Sequence, residues 1–581
     1  MNPWPSDAVQ IDIKDIKKVM FKNSVVEEFL NNSRKHFVSA NKGLGKTLLL
    51  TYKRYHLFNE YNAGKSLDSL PNVHFIPEGS PYLDLMTDIN DCSKPHEQFL
   101  SSLKNTKRIW SFAIKLSAIS HFPNLLKNKN HDWDFLPESF YEMLKTEKLS
   151  PTMIFKETLH WPVSKIFQIF KASENFLEIK FRSITSGIFI FIDKVDQSTQ
   201  HFEKEGWIQT QAGLIEAAWD IMNTNRHVKI YGAIRHEAFS NYESPIKANL
   251  TGATTVIKYT LRDLRELLDR LSQCYENGNS FKEFIGFDTL RNGMHGCVED
   301  SFEYTFRHTV GTPRDLVIIC SKLHDLTPHL TESEFRDSVN KTSSEELIKN
   351  VFNEMGVFLN CLKKKSNRAK FFSLITQNIL KMEELINICA AFNEGIAPDA
   401  FLPLMNEQGD CFNHPFFELY NAGLLGVVSF DPVTEKNVQR FKQPYDILSE
   451  GNQDLPKGDF YLIHPSLHYL IQKHSQENTY HIFKYMVIGH GYEWKEHYPS
   501  LVNAQKTVSQ ITNEESRKDI ESTFKEIISS FLENPSDEEH ILSQEQQKRF
   551  MAIKSALKDP AHSPALKAFQ ELEKALLPQP A

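Results

Sequence analysis

The sequence predicts an α/β fold organised around a parallel sheet, and three observations carry that expectation. Five short apolar segments, residues 35–40, 73–76, 187–192, 228–233 and 255–259, read as strands. Helical or irregular stretches separate them, the alternation that crossover connections between parallel strands require. The first segment, Lys35-His36-Phe37-Val38-Ser39-Ala40, runs into the turn Asn41-Lys42-Gly43-Leu44-Gly45 and then into the aliphatic run Thr47-Leu48-Leu49-Leu50. Strand, glycine loop and helix follow one another without interruption.

Composition sets the limits. A chain of 581 residues exceeds what one hydrophobic core normally organises, so two or three domains are expected. A formal charge of −8 and a pI near 6.3 leave no chain-wide positive field for a polyanion. Seven cysteines, at 92, 274, 297, 320, 361, 389 and 411, include no CxxC pair, so neither a disulfide scaffold nor a cysteine zinc site is indicated. The N-terminus lacks the basic segment and apolar run of a secretory signal, and no apolar stretch reaches the roughly 20 residues that span a bilayer. The expectation is a cytoplasmic chain with no membrane partner.

The remaining elements follow in order. Residues 11–31 carry Ile13, Ile16, Val19, Val25, Val26, Phe29 and Leu30 among charges, a short amphipathic lead-in. Between the second and third strands, residues 78–185 read as a largely helical insertion, because structureless connections of that length are uncommon; Lys107–Ile119 is its clearest helix. These segments make residues 1–260 a sheet domain. Leucines at 261, 264, 267, 268 and 271 fall at helical spacing. A further helix starts with Thr312 as N-cap and Pro313 in its first turn, so 261–335 reads as a helical lid. Residues 343–392 look helical. A helix ending at Gly423 then precedes a strand, with returning strands at Phe441 and Phe460–Ile463 and a helix from Pro465. Helix, strand, polar wing and strand is the winged-helix order, assigned to 336–480. The last part, 481–581, is expected to be helical and charged, chiefly at 514–532 and 543–557.

The glycine turn is where chemistry is expected. Successive amides in such a turn point inward and cup anionic oxygens, and the N-terminus of the following helix adds partial positive charge. Asn41, Lys42, Gly43, Leu44 and Gly45 would form the cup, Lys46 would reach terminal phosphates, and Thr47 would ligate magnesium. The full P-loop pattern GxxxxGK[ST] wants glycine where Ala40 stands. Its partner is an acid ending an apolar strand, and Ile188-Phe189-Ile190-Phe191-Ile192-Asp193 supplies one, with Asp196 three residues on. Lys194 occupies the position where many ATPases carry glutamate, which argues for slow turnover or a binding switch, with Asp196 as a substitute base. Arg235, past the fourth strand, and Arg314, in the Pro313 helix, are candidates to neutralise phosphate charge. His36, His236 and His308 read as structural or solvated.

These motifs resemble the AAA+ and signal-transduction (STAND) superfamily of P-loop NTPases, particularly the branch similar to origin-recognition ATPases. The resemblance rests on Ser39–Thr47, Ile188–Asp196, Lys229–Arg235, Val256–Leu271, Thr312–Leu316 and Leu419–Ile463, and spans residues 35–470. It implies an AAA+-like sheet with a helical lid, a winged-helix domain and C-terminal helices. It also implies ATP and Mg2+ as ligands, with Lys46 and Thr47 on phosphate and metal, Asp193 as the Walker B acid, Arg235 in the sensor 1 region and Arg314 in the sensor 2 role. Ala40, Lys194 and the long insertion depart from the pattern. Antiviral (phage) defence is a role the resemblance alone implies.

Three functions compete at this level. The first is an ATP-dependent switch or slow ATPase controlling assembly into a homo-oligomer or with a protein partner. The second is nucleic-acid binding through the winged-helix region, whose basic candidates are Lys363, Lys364, Lys365, Arg368, Lys370, Lys436, Arg440 and Lys442. The third is an adaptor with a degenerate nucleotide site, for which Lys194 is the main evidence.

Overall fold

The structure, a computed structural model, describes residues 4–494 apart from 6, 65–71, 80, 90–91, 128–131, 293–296, 328–329, 394–414, 447–454 and 476–486. The expected helices at 514–532 and 543–557 lie outside the described residues. Two compact units emerge, one built on Pro5–Arg270 and the other on Leu271–Gln443 together with the described residues from 455 on.

The first unit is α/β, as expected. Its strands are β1 (Phe37–Ala40), β2 (Val73–Ile76), β3 (Asp84–Leu85), β4 (Gly187–Asp193), β5 (Val228–Arg235) and β6 (Thr254–Val256). They form one six-stranded sheet in the order β2-β4-β5-β1-β6, with the two-residue β3 beside the end of β4. Every pairing is parallel. β4 is buried along its whole length, which suits a continuous run of isoleucine and phenylalanine in the middle of a sheet covered on both faces.

Two corrections apply to the strand expectations. β6 ends at Val256, short of Tyr259, because its partner β1 turns into the glycine loop after Ala40 and leaves no ladder beyond the Ile257 N–H to Ser39 carbonyl bond. β3 carries too short a pattern to be read in advance.

Alternation along the strands divides the side chains between two faces. On one, Phe75 stacks on Phe189 and Phe191 on Tyr231 at centroid distances of 5.2 and 4.8 Å. Phe29, Leu49 and Leu50 belong to this same core, so the helices Ser24–Asn31 and Lys46–Asn62 cover it. The amphipathic lead-in thus contributes a helix to the core, with Asn23 capping it through the Val26 N–H. On the other face runs the helix Lys204–Thr224, buried from Gly206 to Ala218. It crosses the insertion helix Leu103–Ser120 closely. A Cβ on Gly213 would lie 2.4 Å from Thr106 Oγ1 and 2.8 Å from its backbone carbon, so only glycine permits that approach.

The insertion is largely helical, as predicted, with helices Lys94–Leu100, Leu103–Ser120, Glu138–Thr146, Pro151–Leu159 and Val163–Arg182. It is tied to the sheet by polar contacts. Asp84 on β3 accepts hydrogen bonds from the Thr152 amide and hydroxyl at 2.9 and 2.6 Å. Among the described residues, no helix is long and apolar enough to cross a membrane.

His36 enters β1 buried, its ring 5.5 Å from that of Tyr231. Burial, with Lys229 and Lys53 nearby, pushes its pKa down to about 4. The folded state therefore resists a proton that the unfolded chain accepts once pH falls below about 6.5. Stability is unaffected above that value and is lost as pH falls toward 4, by about 1.4 kcal/mol per unit for this group. Urea denaturation of wild type and His36→Phe at pH 7 and 4.5 is expected to show a variant losing roughly 2–3 kcal/mol less than wild type between the two pH values. Equal losses would show that His36 carries no such penalty.

The second unit begins with the end of the helix Leu261–Tyr275 and a hairpin of β7 (Thr289–Asn292) and β8 (Cys297–Asp300). The helix Pro313–His324 follows, with Thr312 accepting the Asp315 amide as its cap, as the sequence predicts. The expected helical region 343–392 is interrupted. Helices Ile348–Glu354, Lys365–Ser373 and Met382–Asn393 are separated by a loop and by β9 (Ile379–Leu380). The reason lies 56–58 residues downstream in the chain: buried Glu418 accepts the amides of Asn360, Cys361 and Leu362 at 2.8, 2.7 and 2.8 Å, so those amides are turned out of any helix.

The helix Pro415–Asn421 ends at Gly423, whose φ of 73° is the left-handed stop expected of glycine. β10 (Leu425–Asp431), β11 (Lys436–Phe441) and β12 (Tyr461–Ile463) then join β9 in an antiparallel sheet of order β11-β10-β12-β9. The helix expected from Pro465 is a 3-10 turn, Pro465–Leu467, continued by His468–His474.

Candidate functional site

The site is assembled at the C-terminal ends of β1, β5 and β4. After Ala40 the chain turns through Gly43 and Gly45, with φ of 90° and 88°. These are left-handed conformations that glycine adopts without the Cβ clash. Leu44 between them is 1% exposed and anchors the loop in the core, and the Tyr259 hydroxyl lies 3.5 Å from its carbonyl. Gly45 caps the helix Lys46–Asn62, whose first intrahelical bond runs from the Leu49 amide to the Gly45 carbonyl. The amides of Gly45, Lys46, Thr47 and Leu48 are therefore not used by the helix. Asn41 adds a buried side-chain oxygen with no hydrogen-bond partner among the described residues.

Lys46 is buried and folds back over the loop, its Nζ donating to the carbonyls of Ala40 at 2.8 Å and Asn41 at 3.2 Å. Desolvation lowers its pKa to about 8 against the attraction of Asp196, Asp193 and Glu237, with Arg235 adding to the lowering. Thr47 points across β5: its Oγ1 donates to Asp193 Oδ2 at 2.6 Å. Asp193 is 2% exposed, its other oxygen accepts the Lys194 amide at 2.8 Å, and burial raises its pKa. The structure thus brings together Lys46, Thr47 and Asp193.

Lys194, by contrast, is held away by its own backbone. Its φ of 63° is left-handed, which costs a residue with a side chain about 1–2 kcal/mol, and its Nζ lies 3.4 Å from Asp7 Oδ2. Asp196 turns inward, with Oδ2 3.6 Å from Arg235 Nη1. Arg235 is buried at the end of β5, paired in register with Ala40. Arg314 belongs to the second unit, where it donates to Glu354 at 3.0 Å. The three histidines are buried, and His308 Nδ1 lies 2.8 Å from the Tyr304 carbonyl.

Glu237 is the site residue that sequence reasoning missed. It binds Arg235 in a fork, Nε to Oε2 at 3.0 Å and Nη2 to Oε1 at 2.5 Å. Arginine holds its pKa down against the opposing effect of full burial. The only advance signal was an acid two positions after Arg235 in apolar surroundings.

Chemically, the arrangement offers amides left free by the helix, a buried cation and a hydroxyl–carboxylate pair at the carboxyl ends of the strands. Among the described residues no three His, Cys, Asp or Glu side chains gather into a metal site. Thr47 Oγ1 and Asp193 Oδ2 are the oxygens that could serve a small hard cation, a kind that takes few protein oxygens and completes its shell with water and ligand oxygens. No protein-family profile matches the chain, and no curated protein matches it either.

Proposed function

We propose that the loop at Asn41–Thr47 and the acid Asp193 form a P-loop nucleotide site for Mg-ATP. In this reading the chain is a nucleotide-dependent switch or slow ATPase of the AAA+/STAND kind that controls assembly with itself or a protein partner. The observation that carries the reading is the 2.6 Å bond between Thr47 Oγ1 and Asp193 Oδ2, two residues 146 positions apart. A structural turn would not need the first helical hydroxyl to meet the acid that ends a strand two places away in the sheet. The strand order supports it too, since β5 between β1 and β4 sets loop and acid two strands apart at the carboxyl ends of the strands, the end at which ligands of open parallel sheets bind.

When bound, the nucleotide with its metal supplies the anhydride and the charge that the site is built to neutralise. The loop amides and Lys46 hold phosphate oxygens, and Thr47 and Asp193 hold the cation. Lys194, in place of an acid and engaged with Asp7, favours a slow step or a switch. The antiparallel sheet of the second unit, with the helices that precede it, supports a winged-helix domain. The eight basic candidates are scattered along the chain, and four of them are engaged within the unit: Lys370 to the Phe392 carbonyl, Lys436 to Glu493, Arg440 to Asp431 and Lys442 to Asn421. That favours a protein partner over nucleic acid. A defence role rests on the family resemblance.

Equilibrium ATP binding with and without magnesium, followed by phosphate release from wild type and Asp193→Asn, tests the proposal. Magnesium-dependent binding is expected in wild type, with the magnesium effect lost in the variant. Wild type without ATP binding would refute the reading; binding without phosphate release would leave the switch and remove the ATPase.

A further inference from the structure

The least expected feature of the site is how Arg235 is held. The residue is 4% exposed and carboxylates occupy two edges of its guanidinium: Glu237 takes Nε and Nη2, and Asp196 faces Nη1. The ring of Trp207 lies 5.9 Å from the guanidinium carbon, and the indole Nε1 of Trp207 donates to the Asp196 carbonyl at 3.0 Å, which fixes that residue's backbone. Glu237 is itself 1% exposed. Stability alone explains such a cluster poorly, because buried ion pairs are often no more stabilising than apolar side chains of similar volume.

Its place in the sheet suggests another role. β5 lies between β1 and β4, so the Thr47–Asp193 bond passes over the end of the strand that Arg235 closes. Lys46 and Arg235 stand against Asp193, Asp196 and Glu237 there, and the charges of all four neighbours act on Lys46. The site carries an excess of carboxylate where the nucleotide reading puts phosphate.

Resting on that reading, we infer that Glu237 and Asp196 clamp Arg235 and thereby hold down the site's preference for a triphosphate over a diphosphate. The additional phosphoryl group of a triphosphate brings charge that a diphosphate lacks. It must share the arginine with two carboxylates already in place. Replacing one carboxylate by its amide keeps the shape and a hydrogen bond while returning part of the guanidinium's positive field to the ligand.

The test is titration calorimetry of ATP and ADP, with magnesium, on wild type, Glu237→Gln and Asp196→Asn. The ratio of ATP to ADP affinity is expected to rise on the order of tenfold in Glu237→Gln. A smaller rise is expected in Asp196→Asn, whose contact is longer, and ADP affinity should change less than ATP affinity in both. Unchanged or lower ratios overturn the clamp. If circular dichroism shows Glu237→Gln unfolded, Asp196→Asn carries the test, because it faces the other edge of the same guanidinium and an unchanged ratio there is equally decisive. Wild type that binds both nucleotides while the variants keep its ratio overturns the clamp alone. Wild type that binds neither overturns the nucleotide reading together with it.

Discussion

Lys46→Ala is expected to lose ATP affinity by roughly 2–5 kcal/mol, thirtyfold or more, with little change in the fold. The ammonium is buried at the start of the helix and donates to two loop carbonyls, at 2.8 and 3.2 Å. Those bonds orient the charge; they hold no core together. Truncation therefore removes the buried cation at the start of the helix and costs the fold about 1–3 kcal/mol for two carbonyls left unsatisfied or rehydrated. Nucleotide titration with a thermal melt in parallel reads both quantities. An unchanged affinity would remove Lys46 from any phosphate site, whereas a collapse of the melt would recast it as a structural lysine.

Arg54→Leu should be the most damaging substitution for stability, at about 3–5 kcal/mol. Arg54 lies on the same helix two turns beyond the loop and is completely buried. Its guanidinium donates to the carbonyls of Ile76 at 3.1 Å and Gly79 at 2.8 Å, and also to that of Pro77. Phe75 and Phe191 lie 5.5 and 5.4 Å from it. Leucine fills much of the volume but strands three carbonyls in the sheet edge beyond β2. Urea denaturation at constant slope measures the loss. A change under about 1 kcal/mol would place the arginine with exposed ion pairs rather than with buried networks.

The part of the site legible in the sequence was the part whose chemistry is local. Gly43 and Gly45 announce left-handed backbone, Lys46 and Thr47 follow a strand directly, and Asp193 closes an unbroken apolar run. Each of these is a statement about neighbours in the chain. Glu237 was not legible, because an acid near an arginine is commonplace until the pair is seen buried together. Arg54 was hidden for the same reason, since its three partners lie more than 20 residues away. The break in the 343–392 helices was equally invisible, being imposed by Glu418 from a distant segment.

The sequence by itself determined a parallel α/β unit with a helical insertion and a glycine loop before an aliphatic helix, because strand and helix periodicity and left-handed turns are dictated residue by residue. Only the tertiary structure decided the strand order and the meeting of Thr47 with Asp193. It also decided which carboxylates hold Arg235. Those depend on which apolar faces bury one another, and burial is what changes a charge from a solvated side chain into a working group.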